Sequence, residues 1–108
     1  MRTLSFIVDK QKIKRDPGCD FRDLVSGTKN YICFHFSFSE DWNKTKKAIQ
    51  FLSESGEEID AVLLDETDSC LISDKISSLT KITFRLYGIK EDFKILTSLY
   101  EVYQRKGG

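Results

Sequence analysis

Cys33 and His35 have the residue types that nucleophilic chemistry uses, and they lie two positions apart. In a segment that alternates like a strand, both fall on one face with Cβ atoms about 7 Å apart. That separation is long for proton transfer. No glycine loop beside them supplies an oxyanion hole, and the sequence offers no specific donor to depress the thiol pKa. His35 together with Cys19, Cys33 and Cys70 has the composition of a Cys3His zinc set. The spacings contain no C-x2-C knuckle, so the close pair that starts most zinc sites is missing. Asp65-Glu66-Thr67-Asp68 has the look of half a calcium loop without the glycine and the bidentate glutamate that complete one; a turn between strands accounts for it better. No Walker A, G-x-G-x-x-G or H-E-x-x-H pattern occurs. The expectation is a protein that is not an enzyme, with no catalytic residues, no metal and no cofactor.

The elements that would position these residues read mostly as strands. From Asn30 to Ser39, Ile32, Phe34, Phe36 and Phe38 occupy every second position, with Tyr31, Cys33, His35 and Ser37 between them. A helix would scatter those phenylalanines around its circumference, whereas a strand gathers them on one face. Thr3–Val8 sets Leu4, Phe6 and Val8 on one side, and Gln11–Arg15 carries Ile13 among lysines, as an edge strand defended by charge does. Arg15-Asp16-Pro17-Gly18 is turn chemistry. Further strands are expected at Ala48–Leu52, Ile59–Leu64, Cys70–Ile72 and around Ile82, Phe84 and Leu86, ending before Gly88. The tail from Lys94 to Tyr103 is β-rich, although Leu96, Leu99 and Tyr103 also fit one helix face. Single helical turns are expected in Ser39–Lys47 and Asp74–Leu79. About seven to eight short strands, with turns every 8–12 residues or so, predict an all-β fold, an immunoglobulin-like antiparallel β-sandwich.

The chain has 108 residues with 40% hydrophobic and 12% aromatic content, enough for one domain (1–108) with a core of its own. No stretch approaches the ~18 apolar residues of a membrane helix, so no membrane partner is expected. Acidic Asp9 interrupts the first apolar run and no small-residue cleavage site follows, which argues against a secretory signal. Three cysteines, an odd count, fit a reducing compartment.

Seventeen basic and seventeen acidic residues cancel, which argues against a nucleic-acid polyanion as partner despite the candidate outward tyrosines Tyr31, Tyr87, Tyr100 and Tyr103. Locally the charges separate. Lys10, Lys12, Lys14 and Arg15 cluster in the first hairpin, while the run Glu54, Glu57, Glu58, Asp60, Asp65, Glu66 and Asp68 contains no basic residue. Charge-guarded edges are the simplest account; a head-to-tail contact between copies, or steering towards a charged partner, is the other. Trp42 follows the phenylalanine strand closely, placed either to plug one end of the sandwich or to serve a binding surface. The candidate protein-contact residues are Trp42, Tyr31, Tyr87, Lys12, Lys14, Glu57, Glu58 and Asp60.

The order of these motifs resembles a family of small phage and prophage proteins of Firmicutes. The residues that carry the resemblance are Arg15-Asp16-Pro17-Gly18-Cys19-Asp20-Phe21, Gly27-Thr28-Lys29-Asn30-Tyr31, Phe36-Ser37-Phe38-Ser39, Trp42 and Lys46-Lys47-Ala48-Ile49-Gln50-Phe51. Cys70-Leu71-Ile72, Phe84–Gly88 and Thr97 extend it over nearly the whole chain. The pattern is similar to the immunoglobulin-like N-terminal domain of phage baseplate upper proteins, although that family usually has proline where this chain has Ser73. The resemblance implies a tail- or baseplate-associated module without catalytic residues. It would be made in the host cytoplasm, and the sequence leaves open whether it then joins the virion at the tail or baseplate. It would act by contact with other phage proteins or with itself. The alternative is a small phage-encoded inhibitor of a host defence protein or host enzyme, its acidic segment mimicking nucleic acid.

Overall fold

Only an extended backbone puts Ile32, Phe34 and Phe36 on one side of the chain, and burying that side is what selects the strand. In the computed structural model, which describes residues 1–107, all three are buried, with Phe34 fully shielded from solvent. The elements in chain order are β1 (Arg2–Asp9), β2 (Lys12–Arg15), β3 (Ile32–Phe38), a 3-10 turn (Glu40–Trp42), β4 (Lys46–Leu52) and β5 (Glu58–Leu63). They continue with β6 (Ser69–Leu71), α1 (Asp74–Ser77), β7 (Lys81–Lys90), β8 (Phe93–Leu96) and β9 (Tyr100–Tyr103). Among the described residues no helix is long and apolar enough to cross a membrane.

The strands form two sheets, one ordered β2-β1-β3-β6 and one ordered β5-β4-β7, with β8 and β9 sharing the far side of β7. Phe84 on β7 is where the two layers meet. Its ring centroid lies 5.5 Å from Phe6, 5.3 Å from Phe34 and 5.9 Å from Phe36 in the first sheet. It also touches Phe51 at 6.3 Å and Tyr100 at 5.8 Å. Aromatic rings bury ~150–250 Å² each, and truncating one inside a filled core costs roughly 3–5 kcal/mol. This β-sandwich is held chiefly by that cluster of phenylalanines.

Strand direction departs from an all-antiparallel sandwich. β1 and β3 run parallel, in register from Arg2 opposite Ile32 to Val8 opposite Phe38. The reason is local. β2 carries the chain back to the middle of β1, where the Asp16 N–H donates to the Ser5 carbonyl at 3.0 Å. Residues 16–31 then pass the Arg2 end of β1, so β3 sets off in the direction of β1. Arg2 staples the crossing, its guanidinium donating to the Asp20 carbonyl at 2.9 Å and the Arg22 carbonyl at 2.6 Å.

Two further boundaries differ from the sequence expectation. β7 does not end before Gly88 but runs through it to Lys90, because the absent side chain admits the Trp42 ring against the strand. The tail forms strands, as expected, but two rather than one, so the strands among the described residues number nine. The break falls at Thr97. Its N–H donates to the Leu86 carbonyl at 3.0 Å, and its hydroxyl accepts the Leu86 N–H at 2.9 Å in place of a backbone carbonyl. Freed from the ladder, the chain swings to the first hairpin, where the Ser98 N–H donates to the Gln11 carbonyl at 3.0 Å.

Trp42, one of the expected contact residues, is fully buried and unavailable to a partner; it closes one end of the sandwich. Its indole N–H donates to the Lys10 carbonyl at 2.7 Å, and its ring centroid sits 5.0 Å from that of Phe38. A large amphipathic ring gains most by inserting its body into apolar surface while its N–H meets an acceptor. Here the acceptor is a turn residue held in the left-handed region, Lys10 at φ 56°.

Candidate contact surfaces

The residues that invited catalytic readings are engaged in contacts within the fold. Cys33 and His35 lie on the outer side of β3, yet the thiol donates to the Phe34 carbonyl and His35 Nδ1 sits 3.0 Å from Ser69 Oγ, not from sulfur. Burial pushes the Cys33 thiol above its ordinary pKa, the direction opposite to an activated nucleophile. Cys70 faces the core on β6, where burial pushes it up to about 11. Cys19 fills the place of a strand partner beside β1, accepting the Ser5 N–H at 3.4 Å and donating to the Thr3 carbonyl. Among the described residues, no group of three or more His, Cys, Asp and Glu side chains is arranged to hold a metal.

Asp65 is a turn cap. One carboxylate oxygen accepts the Thr67 hydroxyl at 2.6 Å, the Thr67 N–H at 2.8 Å and the Ser69 N–H at 3.0 Å. Those hydrogen bonds, the Thr67 hydroxyl first, hold the carboxyl below its ordinary pKa. Asp60 plays a related part on β5, where its Oδ1 accepts the Ala61 N–H at 3.0 Å and its other oxygen lies 3.9 Å from Lys75 Nζ. Both acids therefore occupy backbone donors on strands at sheet edges, the guarding role expected of edge charges.

The expected contact residues other than Trp42 are dispersed over four regions. Lys12 and Lys14 are exposed on β2, at one edge of the first sheet, and Tyr31 is 44% exposed where the chain enters β3. Glu57 and Glu58 are exposed on the β4–β5 hairpin with half-buried Asp60 nearby. Tyr87 stands on the outer face of the second sheet. No single surface gathers them.

Cross-strand register shows what does lie around Tyr87. One row across the second sheet reads Leu63, Ala48, Tyr87, Leu96; the row on one side reads Lys46, Ile89, Lys94; the row on the other reads Ala61, Gln50, Arg85. Arg85 Nε donates to Gln50 Oε1 at 2.7 Å, and Gln50 Nε2 donates to Glu58 Oε1 at 3.0 Å, so Gln50, itself held by Glu58, fixes the guanidinium at Nε. Lys94 Nζ lies 5.9 Å from the Tyr87 ring centroid. Gln50, Arg85, Tyr87, Lys94 and Leu96 line a shallow cleft of about 250 Å³. Sequence reasoning picked out Tyr87 and missed Arg85, Gln50 and Lys94. Alternation with Phe84 and Leu86 was the available signal for Arg85.

The class that the fold defines is an all-β sandwich of two sheets, one of mixed strand direction. Comparisons with protein-family models, with curated proteins and with solved structures each find no match to this chain.

Proposed function

We propose that this chain is a non-enzymatic phage or prophage module, associated with the tail or baseplate, that works through protein–protein contacts, and that its sandwich is immunoglobulin-like. The observation that carries the reading is the pairing order. β3 pairs with β6 as strands B and E do, and β5-β4-β7-β8 follows the order C′-C-F-G of variable-type immunoglobulin sheets. The first hairpin departs from that plan, since β1 lies parallel to β3. The phage context rests on the motif order from Arg15 to Thr97. Several of those motif residues hold joints of the fold: Arg15 stacks 4.8 Å over the Phe21 ring, Trp42 plugs an end, and Thr97 breaks the tail.

The test is affinity capture from a lysate of phage-infected host cells, with the retained proteins identified by mass spectrometry. Light scattering of the purified chain over a concentration series, at low and high salt, accompanies it. Retention of virion tail components, or a stable homo-oligomer, is the expected result. Retention of a host defence protein or enzyme alone would replace this reading with that of an inhibitor. In that case charge reversal at Glu57, Glu58 and Asp60 would abolish capture.

A further inference from the structure

We propose that the outer face of the second sheet, centred on Arg85, docks an acidic segment of a partner protein that presents a carboxylate beside an apolar side chain. The inference rests on the contact-module reading and names the surface and the chemistry of its partner.

Charge is the first argument. In the three adjacent rows around Tyr87 every charged member is a cation, namely Lys46, Arg85 and Lys94, and the carboxylates that border these rows are occupied, Glu58 by Gln50 Nε2 and Glu101, opposite Thr83 in the next row, by Lys81. A two-fold contact of this face with itself would set cations against cations, so the complement is an acidic surface of another kind.

Preorganisation is the second. Arg22 and Arg105 pair with Asp20 and Asp23, whereas Arg85 is gripped only at Nε, by Gln50. Among the described residues its terminal nitrogens have no partner, and its fork is already oriented. A carboxylate can meet that fork with two parallel hydrogen bonds, the geometry in which arginine binds most strongly. Apolar area beside it comes from Tyr87 and Leu96, with Leu63 68% and Ile89 44% exposed further out. Tyrosine and arginine are the types in which binding energy concentrates.

The edges offer less. One backbone donor on each of the edge strands β5 and β6, the Ala61 N–H and the Ser69 N–H, is taken by Asp60 and Asp65, and Gln11, in the turn before β2, is bonded to the Leu96 carbonyl and the Ser98 N–H. Strand addition is impeded at those points, which favours a face as the meeting surface.

The experiment is a two-dimensional ¹⁵N NMR titration of the full chain with the capped peptide Glu-Leu-Asp-Phe-Glu, its amide twin Gln-Leu-Asn-Phe-Gln, and hexathymidylate. The acidic peptide is expected to shift the signals of Arg85, Tyr87, Lys94 and Leu96 in a saturable way. Binding should be at least about tenfold weaker for the amide twin and for the Arg85→Gln/Lys94→Gln variant, whose spectrum also reports whether it is folded. Absence of shifts there, equal shifts with the amide twin, or shifts centred on Lys12 and Lys14 would overturn the proposal. Tighter saturation by hexathymidylate would reassign the face to nucleic acid. If the double variant still captures the wild type's partner from lysate, this face is excluded while the contact-module reading stands.

Discussion

A Cβ placed on Gly88 would lie 2.8 Å from Thr45 Oγ1 and 2.9 Å from Trp42 Cε3, closer than either neighbour tolerates. Gly88→Ala is therefore expected to lower unfolding free energy by about 1–3 kcal/mol, the usual cost of overpacking, as read from urea denaturation. Loss of the native tryptophan emission should report the same transition, since Trp42 is the lone tryptophan. The cysteines make a second prediction at this scale. With its pKa raised by burial, Cys33 should react with iodoacetamide at pH 8 more slowly than a free cysteine, and core-facing Cys70 more slowly still. Mass spectrometry of a time course measures both. Alkylation of Cys33 faster than the free amino acid would revive the nucleophile reading.

Between Phe93 and Tyr103 the chain makes two strands because one hydroxyl substitutes for a carbonyl. Thr97→Val keeps the shape of the side chain and removes the acceptor for the Leu86 N–H, which stays buried. The expected loss is about 1–3 kcal/mol by chemical denaturation, the desolvation cost of an orphaned donor. Such a break was not legible in the sequence, because it depends on where the first hairpin lies in space. What could be read was local. The alternation of Ile32, Phe34 and Phe36 fixed β3, and the turn residues of Arg15–Gly18 ended β2. Gly88 misled for a physical reason, since glycine ends strands by default and here serves a close approach. The parallel run of β1 on β3 was hidden because pairing direction is set by where residues 16–31 carry the chain. For the contact surface, composition picked out Tyr87, while the grouping of Arg85, Gln50 and Lys94 needed the register.

Taken together, the carboxylates give the molecule a pH profile. Asp20 is lowered from 3.8 to about 2, first by its side-chain hydrogen bond from Arg22; Asp65 is lowered by Thr67 and Ser69, and Glu101 by Lys81. Groups whose folded pKa is depressed contribute stability above their unfolded pKa and lose it as pH falls through the folded value. Stability should thus hold at neutral pH and decline progressively from about pH 4 downward. All three sites face solvent, so the decline should be modest and shallower at high salt. Thermal unfolding at pH 7, 4 and 2 with and without salt measures it; stability that rises on acidification would contradict the assignment.

The parallel pairing of β1 with β3 also sets a timetable. Arg2 and Ile32 are 30 residues apart in sequence, and the Phe84 ring that joins the layers belongs to a strand made much later. Contacts of that separation place a β-fold toward the slow, millisecond-to-second end of small-domain folding. On the ribosome the first hairpin emerges early with Leu4, Phe6 and Val8 uncovered, one side of β1 waiting for β3 and its apolar face waiting for β7. The nascent chain is thus most prone to associate with its neighbours before residue 84 is made.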